Sequence, residues 1–138
     1  AVYDIPMDYH HTPLVIYAPG IIAGPQVFDC IGGQIDVFPT IMGILNQSYI
    51  NNTLGIDLLK EQRPYIFVNH EDKFGIIDNE YLLILKKEGE KALYHYRDKD
   101  KKDYFDDLKQ KAGEMEEYTL SNLQVFQYLM QSEKRYIE

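Results

Sequence analysis

The stretch that most constrains this chain is residues 32–46, GGQIDVFPTIMGILN. It reads as the edge of a strand, a turn and a short buried helix. Asp36 stands where its carboxylate can accept from the free N–H groups of a first helical turn. A carboxylate in a binding site is the competing reading of Asp36, and its place just ahead of Pro39 favours the cap. Pro39 falls inside that first turn, where a missing N–H costs nothing. Behind it Val37, Ile41, Ile44 and Leu45 share one face, and Phe38 and Met42 widen the face almost all round. A short helix that is apolar on nearly every side belongs in an interior. Gly43 removes a side chain and leaves room for a neighbour to approach. Such a helix needs a larger body around it.

The rest of the chain supplies material for that body. At 138 residues it is one domain by length, or part of a larger one. Hydrophobic residues make up 45%, enough for a core, and the aromatics are 12 Tyr and 6 Phe without Trp. The net charge of −8 argues against a nucleic-acid backbone or an anionic membrane surface as the main partner. One cysteine, Cys30, excludes an internal disulfide and a cysteine metal cluster. Set in an apolar run, it reads as a small buried hydrophobe rather than a reactive thiol. No apolar run approaches the roughly 18 residues of a membrane span, and no signal-peptide pattern opens the chain. The first residue is Ala1, in what reads as a loop; an excised piece would begin this way, and so would a processed one.

Taken in order, residues 1–12 have no clean period and form an irregular approach. Residues 13–19, PLVIYAP, are a continuous apolar run between prolines, the mark of a strand buried on both faces. A loop of Gly and Pro leads to the helix, and 47–53 is polar and loop-like. Residues 55–60 make a turn with a short apolar anchor. Strands follow at 65–70, 73–78, 81–87 and 91–96, with Asp78-Asn79 as a tight hairpin turn and Glu88-Gly89 as a second break. Short strands in succession point to an antiparallel meander. After the charged break DKDKK (98–102), a short helix spans 103–111 and Gly113 ends it. A longer helix spans 114–136, with Met115, Tyr118, Asn122, Phe126 and Leu129 at three- and four-residue spacing. Glu114, Glu116 and Glu117 at its start and Lys134 and Arg135 at its end suit the macrodipole.

His10 and His11 are the only adjacent histidines. Beside the edge of a buried strand such a pair could bind metal or phosphate. No acidic or histidine partner lies at recognisable ligand spacing, so surface or hydrogen-bonding histidines are the competing reading. His70 and His95 stand alone on strands, where packing is the ordinary role. Asn46-Gln-Ser48 and Asn51-Asn-Thr53 match the short glycosylation pattern. The chain has no phosphate-cradling glycine loop, no G-x-S-x-G elbow and no H-E-x-x-H.

Three landmarks occur in a recognisable order: PLVIYAPG (13–20), QIDVFPTIMGILN (34–46) and GIDLL (55–59). Together they resemble the C-terminal part of the sulfatase-like catalytic domain of the alkaline phosphatase superfamily. There a strand ending in Pro-Gly leads to a helix opened by Asp-hydrophobic-x-Pro-Thr, and then to a Gly-x-Asp/Ser-Leu-Leu turn. LYHYRDKDKKDYFDDL (93–108) is similar to the close of that domain, although the aspartate and proline of the close are not kept and His95 and Lys101 stand nearby. Within the superfamily the chain looks most like the phosphoglycerol transferases and lipoteichoic acid synthases.

The resemblance implies a partial alkaline-phosphatase-like α/β sandwich with a short antiparallel β-meander and a long C-terminal helix. Core strand and buried helix would occupy 1–63, the meander 64–97 and the terminal helices 98–138. The implied parent is a bacterial, extracytoplasmic enzyme anchored by membrane helices. It would move glycerol phosphate from a phospholipid head group to a glycan or polymer. In such enzymes a divalent metal (Mn, Mg or Zn) activates a threonine nucleophile and offsets charge on the transferred group. The nucleophile and the Asp-His-Gly metal motif lie upstream in the family, and no Asp-His-Gly occurs in this chain. No catalytic or metal residue therefore carries over; His10 and His11, at the rim in family order, are the substrate-binding candidates. The chain alone would be inactive, with the missing N-terminal part as its partner, and its uncovered surface would favour self-association. A fragment of a true sulfatase or related phosphohydrolase, and a non-catalytic binding domain, are the alternatives.

Overall fold

Between residues 65 and 96 short apolar runs alternate with turn residues, and this stretch folds as a meander. In the computed structural model, which describes residues 3–133, β1 (Ile66–His70), β2 (Lys73–Ile77), β3 (Tyr81–Lys86) and β4 (Lys91–His95) form one sheet in the order β1-β2-β3-β4. All neighbours are antiparallel, and Val68, Gly75, Ile84 and Ala92 stand in one row across it. The four expected strands are present, each ending within a residue of its expected bounds. The Asp78 carboxylate fixes the β2–β3 turn by accepting from the backbone N–H groups of Glu80 (2.7 Å) and Tyr81 (2.6 Å). Gly89 takes a φ of +88° in the β3–β4 turn, a conformation that favours glycine.

Side chains alternate across a strand, so one row serves each face. On one face Ile77, Leu82 and Ile84 bury Tyr3 and Ile5 from the N-terminal segment. On the other, Ile76, Leu83 and Leu93 bury Ala112 and Met115 of α2 (Lys109–Glu133). With both faces covered, β2 and β3 are apolar at successive positions rather than alternate ones. A Cβ at Gly75 would meet Val68 at 2.7 Å and Ile5 at 2.8 Å, so the glycine makes the space in which Ile5 seats.

α2 is one helix where two were expected. Gly113 does not end it, and residues 105–108 are turns that lead into it. Glycine inside a helix costs about 1 kcal/mol, and burial of Ala112 and Met115 on either side outweighs that. Lys111 pairs with Asp78 (2.6 Å) at one end of the sheet and Glu116 with Lys91 (2.7 Å) at the other, so α2 lies along the strands. The expected end at 136, with Lys134 and Arg135, lies outside the described residues.

Residues 13–19 are not a buried strand. They join no ladder, Pro19 already lies in a turn, and Val15 and Tyr17 are 81% and 89% exposed. A strand exists through its neighbours' hydrogen bonds, and the strands paired among the described residues are the four of the meander. The helix at 37–44 does form, as α1 (Val37–Ile44), with Pro39 in its first turn. It is not buried: Pro39 and Thr40 face inward, while Phe38, Ile41 and Leu45 face out. Nor does Asp36 cap it, since its backbone is already helical (φ −88°, ψ −14°) and its carboxylate bonds elsewhere. The close approach expected at Gly43 is present, filled by the Asp57 side chain. The protein is thus mixed α/β, with an antiparallel sheet.

Candidate functional site

The N-terminal segment carries the sequence-nominated histidines across the first face of the sheet. Burial of Ile5 anchors it, and the Tyr3 hydroxyl donates to the Asp100 carbonyl (2.8 Å). A 3-10 turn, Met7–Tyr9, follows, and the N–H groups of His10 and His11 both donate to the Met7 carbonyl (3.0 Å each). This turn separates the pair. His10 swings against His70 at the end of β1, with ring centroids 6.3 Å apart and planes perpendicular, whereas His11 points to solvent. His10 Nε2 is buried and has no hydrogen-bond partner among the described residues. Nearby at the β1–β2 turn, Lys73 lies 3.6 Å from Glu71 and 3.4 Å from Asp72, so its charge is already answered. Chemically the corner holds one imidazole nitrogen whose hydrogen bond is unmade and which solvent does not reach. Among the described residues no three His, Cys, Asp or Glu side chains gather as a metal site.

A second cluster fastens the first half of the chain. Asp36 is fully buried. Its Oδ2 accepts from Gly33 N–H (2.8 Å), and its Oδ1 accepts from Ile56 N–H (2.9 Å) and from the Arg63 guanidinium. Arg63, with its side chain 7% exposed, also donates to the Leu54 carbonyl (2.9 Å). Thr40 completes the knot: its hydroxyl donates to the Asp36 carbonyl (2.7 Å) and accepts from Leu58 N–H (3.0 Å). Gly55 allows the loop to close, since a Cβ there would strike the Ile35 carbonyl. Both oxygens of Asp36 are engaged, so the cluster binds chain to chain and leaves no carboxylate for a ligand. Arg63 had no sequence signal beyond standing before Pro64, and nothing in local spacing joins position 36 to position 63.

The remaining nominated residues are packed or engaged. The His95 ring meets Tyr81 edge-on at 4.9 Å, and its Nδ1 lies 3.0 Å from Asp98 Oδ2 without hydrogen-bond alignment. Asn51 accepts from the Thr53 N–H (3.0 Å) and hydroxyl (2.8 Å) and donates to the Gly55 carbonyl (2.8 Å). Asn46 is exposed in a left-handed conformation, and Cys30 is half-buried. The groups with shifted titration belong to the sheet region. A hydrogen bond to Lys86 holds the Asp4 carboxyl below its usual range, and the pair raises the Lys86 ammonium. The Tyr104 hydroxyl does the same for Asp100 (2.6 Å). No protein-family model matches the chain, and no curated protein matches it.

Proposed function

We propose that this chain is the C-terminal part of a phosphoglycerol transferase-like catalytic domain in the alkaline phosphatase superfamily. The parent enzyme moves glycerol phosphate from a phospholipid to a glycan or polymer acceptor, outside the cytoplasm of a bacterial cell and anchored to its membrane. One observation carries the reading. Two landmarks of the resemblance, QIDVFPT and GIDLL, interlock through Asp36 to Ile56 and Thr40 to Leu58. Residues that resemble the family in sequence are thereby the residues that hold this half together.

In that reading the chain is a wall of the site rather than its chemistry. The metal, the nucleophile and the Asp-His-Gly motif come from the N-terminal part. The exposed apolar segment 13–19 and the outward side of α1 are then the surfaces that the sandwich covers, because an apolar strand and helix gain their stability there. Exposed His11 is the group that would meet a phosphate oxygen at the rim, and His10, with Nε2 buried, stands behind it.

The coding sequence ahead of Ala1 tests this first. An Asp-His-Gly shortly upstream, and a lone threonine nucleophile before it, are expected; a Cys or Ser in a C/S-x-P-x-R context would make the parent a sulfatase instead. The protein encoded by that full reading frame should then release glycerol phosphate from phosphatidylglycerol with manganese and not with a chelator. A frame without the motif, or a protein inert in that assay, would end the reading.

A further inference from the structure

The second half of α2 has no role in the fold described above. Ala112 and Met115 are buried against the sheet, and Thr119 is the last buried residue among the described side chains of the helix. The helix has 25 residues, about 37 Å at 1.5 Å per residue. The strands beneath it have five or six, about 17–20 Å. Since α2 runs along the strands, its last turns stand clear of the sheet. Leu123, Phe126 and Met130 continue the face of Met115 and Thr119 at three- and four-residue spacing, and each is 44–49% exposed.

Residues 118–132, YTLSNLQVFQYLMQS, contain no charged side chain, in a chain whose net charge is −8. We propose that this overhang is a dimerisation surface for a second copy of the chain. The two α2 helices pair antiparallel, with Phe126 on the two-fold axis. A two-fold interface must be complementary to itself, and this one is. With residue 126 on the axis, Leu123 of each copy meets Leu129 of the other, while Ser121, Gln124 and Gln127 supply an uncharged rim. Copies of an acidic protein repel one another, and along α2 this is the stretch where contact brings no carboxylates together, Glu114, Glu116 and Glu117 lying before it. A lipid surface fits less well, because the stretch lacks the Lys and Arg of interfacial helices and is too short to span a bilayer. Pairing three to four helical turns buries on the order of 400–500 Å² per copy, at the low end of specific interfaces. The dimer is therefore weak and concentration-dependent. The inference stands on α2 alone and is independent of the enzyme reading.

Sedimentation equilibrium on the 138-residue chain tests it. A reversible monomer–dimer equilibrium is expected, with a dissociation constant on the order of 10–100 μM. Phe126→Glu should weaken it at least about tenfold and leave the sheet folded, since the ring is 49% exposed and lies outside both apolar clusters of the sheet. In a Cys30→Ser background, Phe126→Cys should oxidise to a disulfide dimer and Leu123→Cys should not, because the axis passes through only the first. A strict monomer at several hundred μM (a concentration well above that range) would overturn the proposal. So would equal cross-linking at 123 and 126, or a dimer lost in Val15→Glu and retained in Phe126→Glu.

Discussion

Residues 13–50 and residues 65–119 are both rich in large apolar side chains, yet they end in opposite environments. In the second region Ile76, Leu82, Leu83, Ile84 and Leu93 are fully buried. In the first, Val15, Tyr17, Val27, Phe38 and Ile50 stand open to solvent, and the buried side chains include Asp36 and Thr40. Hydrophobicity does not separate them; backbone hydrogen bonding does. The meander pairs its N–H and C=O groups strand by strand through local hairpins, which creates two apolar faces, and the N-terminal segment and α2 cover them. The earlier region has apolar residues but no ladder. What orders it is one buried ion pair with its hydrogen bonds. One half is held by apolar contact, the other by a polar fastening.

The hardest test of that contrast is Asp36→Ala. It leaves the Arg63 guanidinium buried without its charge partner, a loss of about 3–5 kcal/mol. Limited proteolysis should then cut within 32–63, while the amide protons of Ile76 and Leu83 keep their protection. A variant that melts the whole chain in one step would break the comparison. Leu83→Ala should cost about 2–5 kcal/mol by opening a cavity in the apolar layer. Its effect should be the reverse, a lower urea midpoint for the sheet with the 32–63 segment no more open to protease. Gly75→Ala should cost about 1–3 kcal/mol by overpacking. The added methyl displaces Ile5, so hydrogen exchange in residues 3–9 should rise first.

A gentler probe is pH, because the shifted groups all lie in the sheet region or on the segment that covers it. Asp4 and Asp100 have folded pKa values lowered by hydrogen bonds to Lys86 and Tyr104. Their contribution is present above the ordinary carboxylate value of 3.8 and lost as pH falls through the lower folded value. Burial raises Tyr3, Tyr65 and Tyr94 above 10.0, so their contribution is present below that pH and lost as pH climbs through the folded values. Urea midpoints of the sheet should therefore fall on both sides of a plateau between those limits. An equal fall for the 32–63 segment would show that the halves are coupled. Smallest of all, Val15→Ser should change stability by no more than about 0.5 kcal/mol, read from the thermal midpoint. A larger loss would mean that residues 13–19 already have a partner.

Reading the residues in order located the meander to within a residue at each strand end. The apolar runs there are short, the turns carry Asp78-Asn79 and Glu88-Gly89, and the pairing is between neighbours in sequence. α1 was legible for the same reason, since Pro39 marks a first turn wherever the helix lies. Four expectations failed on non-local information, and two of them concern burial: residues 13–19 are not a covered strand and α1 is not enclosed. Gly113 looked like a stop until packing at Ala112 and Met115 carried the helix through it. Asp36 looked like a cap because its true partners, Ile56 and Arg63, are 20 and 27 residues away. His10 and His11 are adjacent in sequence, yet the Met7–Tyr9 turn sets only the first against His70, which local spacing does not show.

The amino-acid order by itself determined α1, the hairpins and the succession of the meander strands, because dihedral preference, proline placement and apolar period act over a few residues. Tertiary structure alone decided which apolar residues are buried, which carboxylate fastens the first half, and where α2 runs out of sheet to cover. Burial and ion pairing need a partner brought from a distance, and a local pattern states only that a partner is wanted.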